Sequence, residues 1–231
     1  MSIIPHNLQA VHASIVDAAR SAARKPEEIR LLAVSKTFGP EAVIEAAAAG
    51  HTAFGENYLQ EALDKMAAIR AARPDLALEW HFIGPIQSNK TRPIAEHFAW
   101  VHSVEREKIA QRLSEQRPPH LPPLNICLQV NISGEASKSG VAPGETLALA
   151  RAVAVLPRLA LRGLMAIPEP AGSSEQRRAP FRALRELYQK LRADGLTLDT
   201  LSMGMSADMD AAIAEGATIV RVGTAIFGKR D

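Results

Sequence analysis

RLLAVSKTFGPEAVIEAAAAGHTAFGEN, residues 30–57, is the stretch that decides the fold. It opens on an apolar run at 30–36 and closes on a second β-rich run at 52–57. Between them, Pro40 is placed for the first turn of a helix, and the alanine-rich segment that follows stops at Gly50. Proline at a helix start and glycine just past its end is the usual order. The stretch therefore predicts a strand, a helix and a second, parallel strand.

The same alternation continues along the chain. Short β-rich runs are separated by segments of helical period, which is typical of βαβ units around a parallel sheet. Eight such runs occur, at 30–36, 52–57, 79–84, 99–104, 125–132, 161–167, 201–204 and 219–228. Eight strands in 231 residues predict a closed (β/α)₈ barrel of the TIM type rather than an open doubly wound sheet.

We expect one domain over residues 1–231, in which 1–29 form an extra N-terminal helix with its lead-in and 30–231 form the barrel. The extra helix is predicted at 7–23, where it would close the barrel floor or cover its flank. Two segments are predicted to be loops, the proline-rich 117–123 and 169–178.

Composition excludes several classes of protein. The net charge is +2, so no electrostatic footprint for nucleic acid is expected. No run approaches the length of a membrane span. Cys127 is the only cysteine and lies in an apolar run, which excludes an internal disulfide and fits a reducing compartment. We expect a cytoplasmic monomer whose partner is a small molecule.

Lys36 is the first candidate for chemistry, because it ends an apolar strand where barrels carry their functional groups. A lysine at an apolar barrel mouth loses hydration, and a larger neutral fraction of its amine can then attack an aldehyde. The alternative is an ordinary solvated lysine at a strand end.

The last two predicted strands end in residues suited to phosphate. The segment 202–206 leads into a helix N-terminus, which Ser206 or Asp208 would cap, and Gly223 and Thr224 follow in the eighth strand. Barrels often bind phosphate with the loops after strands seven and eight, where free backbone amides favour an anion. Taken singly, each of these residues is explained by an ordinary turn or helix cap.

Seven motifs spread over nearly the whole chain occur together. They are AVSKT at 33–37, FGENY at 54–58, WHFIGPIQSNK at 80–90, SKSG at 137–140, GLM at 163–165, LSMGMSADM at 201–209 and RVGT at 221–224. In this order and spacing, the sequence resembles the YggS/PROSC-type pyridoxal phosphate homeostasis proteins. The resemblance implies a fold similar to the barrel domain of alanine racemase, with pyridoxal 5′-phosphate (PLP) held on Lys36 through a Schiff base.

The resemblance also implies roles for seven further residues. Asn57 and Met165 would line the cofactor ring, and Arg221 would face the pyridine nitrogen. The phosphate would be held by Ser202, Ser206, Gly223 and Thr224. Because an arginine stays protonated, it disfavours a proton on the ring nitrogen and leaves the cofactor a poorer electron sink. The alternative for Arg221 is an ion pair with an acidic neighbour in the barrel wall.

No metal is expected, because the sequence has neither a His-Glu-x-x-His motif nor a cysteine pair. His81 lies on a predicted strand, where contact with a ligand and a hydrogen-bonded place inside the barrel are equally open. The polar segment 87–90 is interpreted as a solvated loop, with a partner surface as the alternative.

Two functions follow from the resemblance. The first is a non-enzymatic protein that holds PLP and supplies it to apo-enzymes, with Lys138 as a second rim amine that assists transfer or as a plain loop lysine. The alternative is a one-domain amino-acid racemase. A racemase needs a second acid or base, and the chain ends at Asp231, so we expect no further domain to supply one. Tyr188 is predicted to pack in a helix, while Tyr58 stands nearer the rim. A third possibility, regulation through contact with a partner, would not need Lys36.

Overall fold

Eight parallel strands form a closed barrel in which neighbours in sequence are neighbours in space, and β8 pairs with β1. The structure is a computed structural model that describes residues 3–134, 139–169 and 172–228. The strands are β1 Arg30–Val34, β2 Ala53–Glu56, β3 Glu79–Phe82, β4 Trp100–Val104, β5 Leu124–Gln129, β6 Leu159–Met165, β7 Thr200–Ser202 and β8 Ile219–Val222. The predicted (β/α)₈ architecture is confirmed.

Helices surround this barrel. They are α1 Ile4–Ser21, α2 Pro40–Ala48, α3 Leu59–Ala72, α4 Thr91–His97, α5 Glu107–Gln116, α6 Thr146–Ala154, α7 Ser174–Ala193, α8 Met209–Ala214 and α9 Thr224–Phe227. As predicted, α2 begins at Pro40, and the chain leaves it through Gly50, whose φ of +89° costs a glycine little. No helix in the described ranges has the length and apolar character needed to cross a bilayer.

The strands are apolar on both faces because the barrel has two cores. Leu32, Trp100, Cys127 and Met165 pack together inside the barrel, whereas Leu31 and neighbouring side chains pack outward against the helices. A parallel strand buried on both sides needs a continuous apolar run, which is why β1 was recognisable. Cys127 is buried as predicted, and burial raises the pKa of its thiol to about 12.

The extra N-terminal helix covers the flank of the barrel rather than its floor. Apolar residues spaced three or four apart along α1, among them Leu8, Val11 and Ile15, are buried. They pack α1 against α2, α8 and α9. Asn7 adds a hydrogen bond of 2.9 Å from Nδ2 to the carbonyl of Ile226.

Most predicted boundaries are shifted by one to three residues, and two were wrong by more. The eighth strand ends at Val222 instead of 228, because the carbonyl of Gly223 accepts from the amides of Ile226 and Phe227 and turns the chain into α9. The segment 169–178 is not all loop. Ser173 and Gln176 form a capping box that starts α7 at Ser174.

The prediction that Ser206 or Asp208 caps a helix was also wrong in detail. Asp208 occupies the N-cap position of α8, but its Oδ1 accepts from the amide of Met205, 2.6 Å away. The carboxylate therefore stabilises the loop between β7 and α8 rather than the helix end. The loop at 117–123 is confirmed, and Lys138 lies outside the described residues.

Candidate functional site

A pocket of about 300 Å³ opens where the strands end, a volume at the lower edge of the range for small-molecule sites. Six of the eight predicted site residues line it: Lys36, Asn57, Ser206, Arg221, Gly223 and Thr224. All except Arg221 follow the carboxyl end of β1, β2, β7 or β8. The topology thus brings residues from four distant parts of the chain to one rim.

Lys36 is half-buried and lies one residue beyond Ser35, which follows the end of β1. The next residue, Thr37, has a φ of +67°, a conformation that a β-branched residue rarely adopts. Both neighbours are held by hydrogen bonds. Ser35 donates from Oγ to Glu56 Oε1 over 2.6 Å, and the Thr37 amide donates to Glu61 Oε1 over 2.6 Å. The backbone on each side of Lys36 is therefore fixed.

One buried lysine joins these two anchors. Lys65 donates from Nζ to Glu56 Oε1 at 2.6 Å, to Glu61 Oε1 at 3.0 Å and to the carbonyl of Ser35 at 2.8 Å. Burial raises the pKa of Glu56, while the nearby Lys65 opposes that rise. We call Glu56, Glu61 and Lys65 the Lys65 cluster. It ties β2 and α3 to the segment that carries Lys36.

Asn57 enters the pocket with an unmet hydrogen-bonding capacity. Its Oδ1 is buried and has no hydrogen-bond partner within the described residues. Its backbone is fixed by a close approach, since a Cβ built on Gly84 would lie 2.1 Å from the Asn57 carbonyl oxygen. A buried acceptor of this kind favours a ligand that carries a hydrogen-bond donor.

Arg221 forms one wall of the pocket from inside the barrel. Its Nη1 donates to Ser202 Oγ over 2.8 Å, and its Nη2 donates to the carbonyl of Ala166 over 2.9 Å. Burial lowers the pKa of Arg221 to about 10, which still leaves the guanidinium charged at neutral pH. No carboxylate pairs with it in the described part of the chain, so the alternative of a wall ion pair is not what the structure shows.

The other two predicted residues do not line the pocket. Ser202 is fully buried, and its hydroxyl contacts Arg221 and His102. Met165 is also fully buried, in the inner core. The resemblance implied that both contact the cofactor. They do end β6 and β7, but their side chains face the interior of the barrel.

The side of the pocket at β7 and β8 presents backbone and hydroxyl groups. Ser206 and Thr224 are exposed. Within the described residues, the amides of Ser206 and Ala207 make no backbone hydrogen bond. A side chain at Gly223 would press on the Val34 carbonyl, because a Cβ there would lie 3.1 Å from that oxygen. This side can therefore offer several donors to one anion.

Sequence reasoning missed the apolar part of the lining: Phe38, Ile83, Ile167 and Met205. Phe38 stacks on Phe227 with ring centroids 5.1 Å apart, a contact between residues far apart in the sequence that no local pattern reveals. It also missed Lys65 and His102. His102 did carry a signal, because it shares strand parity with the inward-facing Trp100 on β4.

The remaining candidates fall outside the pocket lining. His81 is buried and hydrogen-bonded inside the barrel. Tyr188 packs on α7 and donates to the Leu198 carbonyl over 2.8 Å, and Tyr58 is 52% exposed. The segment 87–90 contains a short 3₁₀ turn, Ser88–Lys90. Across the described ranges, no group of three or more His, Cys, Asp or Glu side chains is placed to hold a metal.

Comparison with known proteins agrees with this geometry. Residues 7–231 match the family model described as "Alanine racemase, N-terminal domain". The chain is 64% identical over 231 residues to the pyridoxal phosphate homeostasis protein of Pseudomonas aeruginosa, covering 100% of this chain and 97% of the relative.

Solved structures give the same result. PipY of Synechococcus elongatus, in a structure with PLP bound, is 37% identical with a TM-score of 0.81, over 93% of this chain and 100% of that one. Alanine racemase from Corynebacterium glutamicum is 19% identical with a TM-score of 0.68, over 96% of this chain and 61% of that one, and shows the shared fold alone. The chain therefore belongs to the family of pyridoxal phosphate homeostasis proteins, built on the barrel of the alanine racemase N-terminal domain.

Proposed function

We propose that this chain binds PLP in the pocket, with Lys36 as its covalent anchor. The observation that carries the proposal is the meeting of Lys36, Arg221 and the loops after β7 and β8 around one pocket. A lysine amine can bond to the aldehyde of PLP, an arginine N–H can donate to its unprotonated pyridine nitrogen, and an anion-binding loop can hold its phosphate. The PLP-bound relative PipY supports it.

Lys36 would hold the cofactor through a Schiff base. Its amine would condense with the aldehyde, so that a C=N bond would replace C=O and the oxygen would leave as water with the two amine hydrogens. Lys36 is half-buried beside the apolar Val34, Phe38 and Ile83. Such surroundings limit the access of bulk water that would reverse the reaction.

The opposite side of the pocket would hold the phosphate. Ser206 and Thr224 offer hydroxyls, and the amides around Ser206 and Gly223 complete a set of donors for a dianion. Asn57 Oδ1, the buried acceptor without a partner among the described residues, would receive a hydrogen bond from the ring hydroxyl of the cofactor. Met165 and Ser202 would act from behind the pocket wall, and Ser202 would hold Arg221 rather than the phosphate.

We infer a carrier of PLP rather than an enzyme that uses it. When bound, PLP can withdraw electrons from an amino acid through its protonated ring nitrogen, and Arg221 would oppose that protonation. Among the described lining residues, Lys36 and Arg221 are the two titratable side chains, so the pocket lacks the second acid or base of a racemase. The relatives are named homeostasis proteins. We further infer that residues 1–231 act as one unit that supplies PLP to apo-enzymes.

An absorbance spectrum tests the Lys36 anchor, and transfer of PLP to an apo-enzyme tests the carrier function. Purified protein loaded with PLP should show a visible absorbance band, and it should reactivate an apo-enzyme while exchanging the α-hydrogen of amino acids no faster than free PLP. Lys36→Ala should lose the band, whereas Lys190→Ala, an exposed lysine at the far end of α7, should keep it. Rapid α-hydrogen exchange by the loaded protein would favour the racemase, and a normal band in Lys36→Ala would refute the anchor.

A further inference from the structure

Five polar side chains form a continuous path through the barrel, from the pocket to the opposite end. Arg221 contacts Ser202, Ser202 contacts His102 at 2.7 Å, and His102 contacts His81 at 2.9 Å. His81 Nε2 then lies 2.6 Å from Glu79 Oε1. Glu79 is the first residue of β3, so the path ends at the amino-terminal end of the strands, where Arg30 pairs with Glu79 at 2.7 Å.

The middle of the path is sealed from water. Ser202, His81 and His102 are fully buried, so each polar atom must find its partner within the path. The plane of His81 is fixed as well, because its ring stacks on Trp100 with an interplanar angle of 2°. The Glu79 side chain is 34% exposed and forms the solvent-accessible end of the path.

The Glu79 carboxylate, at the end of the path, dictates the direction of every hydrogen bond in it. A carboxylate only accepts, so His81 must donate from Nε2 to Glu79. Burial lowers the pKa of both His81 and His102, so each ring is neutral near pH 7 and has one donor and one acceptor. His81 Nδ1 therefore accepts from His102 Nε2.

The same logic continues to the pocket. His102 Nδ1 accepts from the Ser202 hydroxyl, which leaves the lone pairs of Ser202 Oγ for Arg221 Nη1. All four hydrogen bonds run from Arg221 toward Glu79. Chains of this kind strengthen each member by polarisation. Arg221 is held at two points, Ser202 Oγ and the Ala166 carbonyl.

We propose that Glu79, at the opposite end of the barrel from the pocket, is a positioning residue that holds the Arg221 guanidinium in place through His81, His102 and Ser202. The proposal deepens the proposed function and rests on it where PLP affinity is concerned. If a donor replaces the Glu79 carboxylate, the path reverses: His102 then donates to Ser202, and the Ser202 hydroxyl hydrogen loses its acceptor and turns toward Arg221.

Histidine tautomers report the direction of the path without any cofactor. In the full chain, ¹⁵N NMR should show that His81 and His102 are both protonated at Nε2 and unprotonated at Nδ1. The charge swap Arg30→Glu/Glu79→Lys keeps an ion pair at this end but replaces the acceptor with a donor. We expect both rings to shift their proton to Nδ1 and PLP affinity to fall by roughly tenfold, the scale of one charge-assisted hydrogen bond.

Two further variants separate this role from a general effect on folding. Glu79→Gln can still accept a hydrogen bond through its amide oxygen. This variant should keep the wild-type tautomers and the wild-type affinity for PLP. Arg73→Glu/Asp75→Lys swaps an exposed ion pair in the segment before β3 and should change neither. Protonation of His102 at Nδ1 in the wild type, or unchanged tautomers in the Arg30/Glu79 swap, would overturn the proposal. Failure of the wild type to bind PLP would instead refute the proposed function, since the tautomers are read without PLP.

Discussion

Lys36 owes its position to residues that never enter the pocket. Its neighbours Ser35 and Thr37 are tied to Glu56 and Glu61, and Lys65, which is 3% exposed, bonds to both carboxylates. A buried charge pair adds little net stability, but removing one partner leaves the other charge buried and uncompensated. The Lys65 cluster is therefore sensitive to loss of its cation.

Lys65→Met should lower the free energy of unfolding by about 3–5 kcal/mol, because Glu56 would be left buried without its cation. The double variant Glu56→Gln/Lys65→Met should recover most of that loss. Urea denaturation of the three proteins at neutral pH measures both effects. If Lys65→Met were as stable as the wild type, the cluster would not anchor the Lys36 segment.

Ser206→Ala should weaken PLP binding by roughly tenfold, since it removes one charge-assisted hydrogen bond to the phosphate. Pyridoxal, which lacks the phosphate, should bind the variant and the wild type equally. Ser14→Ala, on the exposed face of α1, is the matched control and should bind PLP normally. An equal loss of affinity for PLP and for pyridoxal would show that Ser206 acts on the pocket as a whole.

At the scale of the elements, the pocket depends on how closely one loop approaches another. Gly84 follows β3 and lies against the Asn57 carbonyl after β2. Ser103 on β4 donates to the Gly84 carbonyl and fixes the loop from the other side. These contacts leave no room for a methyl group at position 84.

Gly84→Ala should therefore displace Asn57, lowering PLP affinity and the free energy of unfolding together, the latter by about 1–3 kcal/mol. Gly144→Ala is the control, because a Cβ there meets nothing within 4 Å and its φ is not positive. Equilibrium binding and urea denaturation report the two effects. Similar behaviour of both variants would mean that the close approach at Gly84 does not position Asn57.

The elements themselves were predictable because their signals are local. Apolar runs revealed all eight strands, and Pro40 with Gly50 bounded α2 correctly. The start of α7 was also signalled, by Ser173 and Gln176, but it was missed. The end of β8 had no such signal, since Ile226 and Phe227 are apolar in a strand and in a helical turn alike.

The site was predictable at its rim and less so behind it. Lys36, Ser206 and Thr224 follow strand ends, and the barrel brings all strand ends together. Lys65 could not be linked to Lys36 from sequence, because their contact depends on how α3 lies across β1 and β2. The contacts of Ser202 were hidden for a related reason, since its side chain points into the barrel toward Arg221 and His102.

For the whole molecule, buried neutral histidines link stability to pH. Burial lowers the pKa of His51, His81 and His102 below the ordinary value of 6.5. Below pH 6.5 the unfolded chain takes up protons that the folded chain refuses. The stability that these residues contribute is thus complete above pH 6.5 and is lost as the pH falls toward their folded pKa values.

As the pH falls below 6.5, the free energy of unfolding should fall as well, by at most about 1.4 kcal/mol per pH unit for each of these three histidines. Urea denaturation at several pH values gives the slope. His51→Gln removes one titrating group while keeping a donor for the Ala53 carbonyl, so its slope should be shallower than that of the wild type. A slope that His51→Gln leaves unchanged would contradict this origin of the pH dependence.

Chemical trapping tests the central claim, that this barrel holds PLP on Lys36, most directly. Protein loaded with PLP is reduced with borohydride, digested and mapped by mass spectrometry, so that the lysine in the C=N bond keeps the pyridoxyl group as a stable secondary amine. The account predicts that the label lies on Lys36, in the peptide that follows β1. A label on any other lysine in place of Lys36, or no label on a protein that binds PLP, would contradict it.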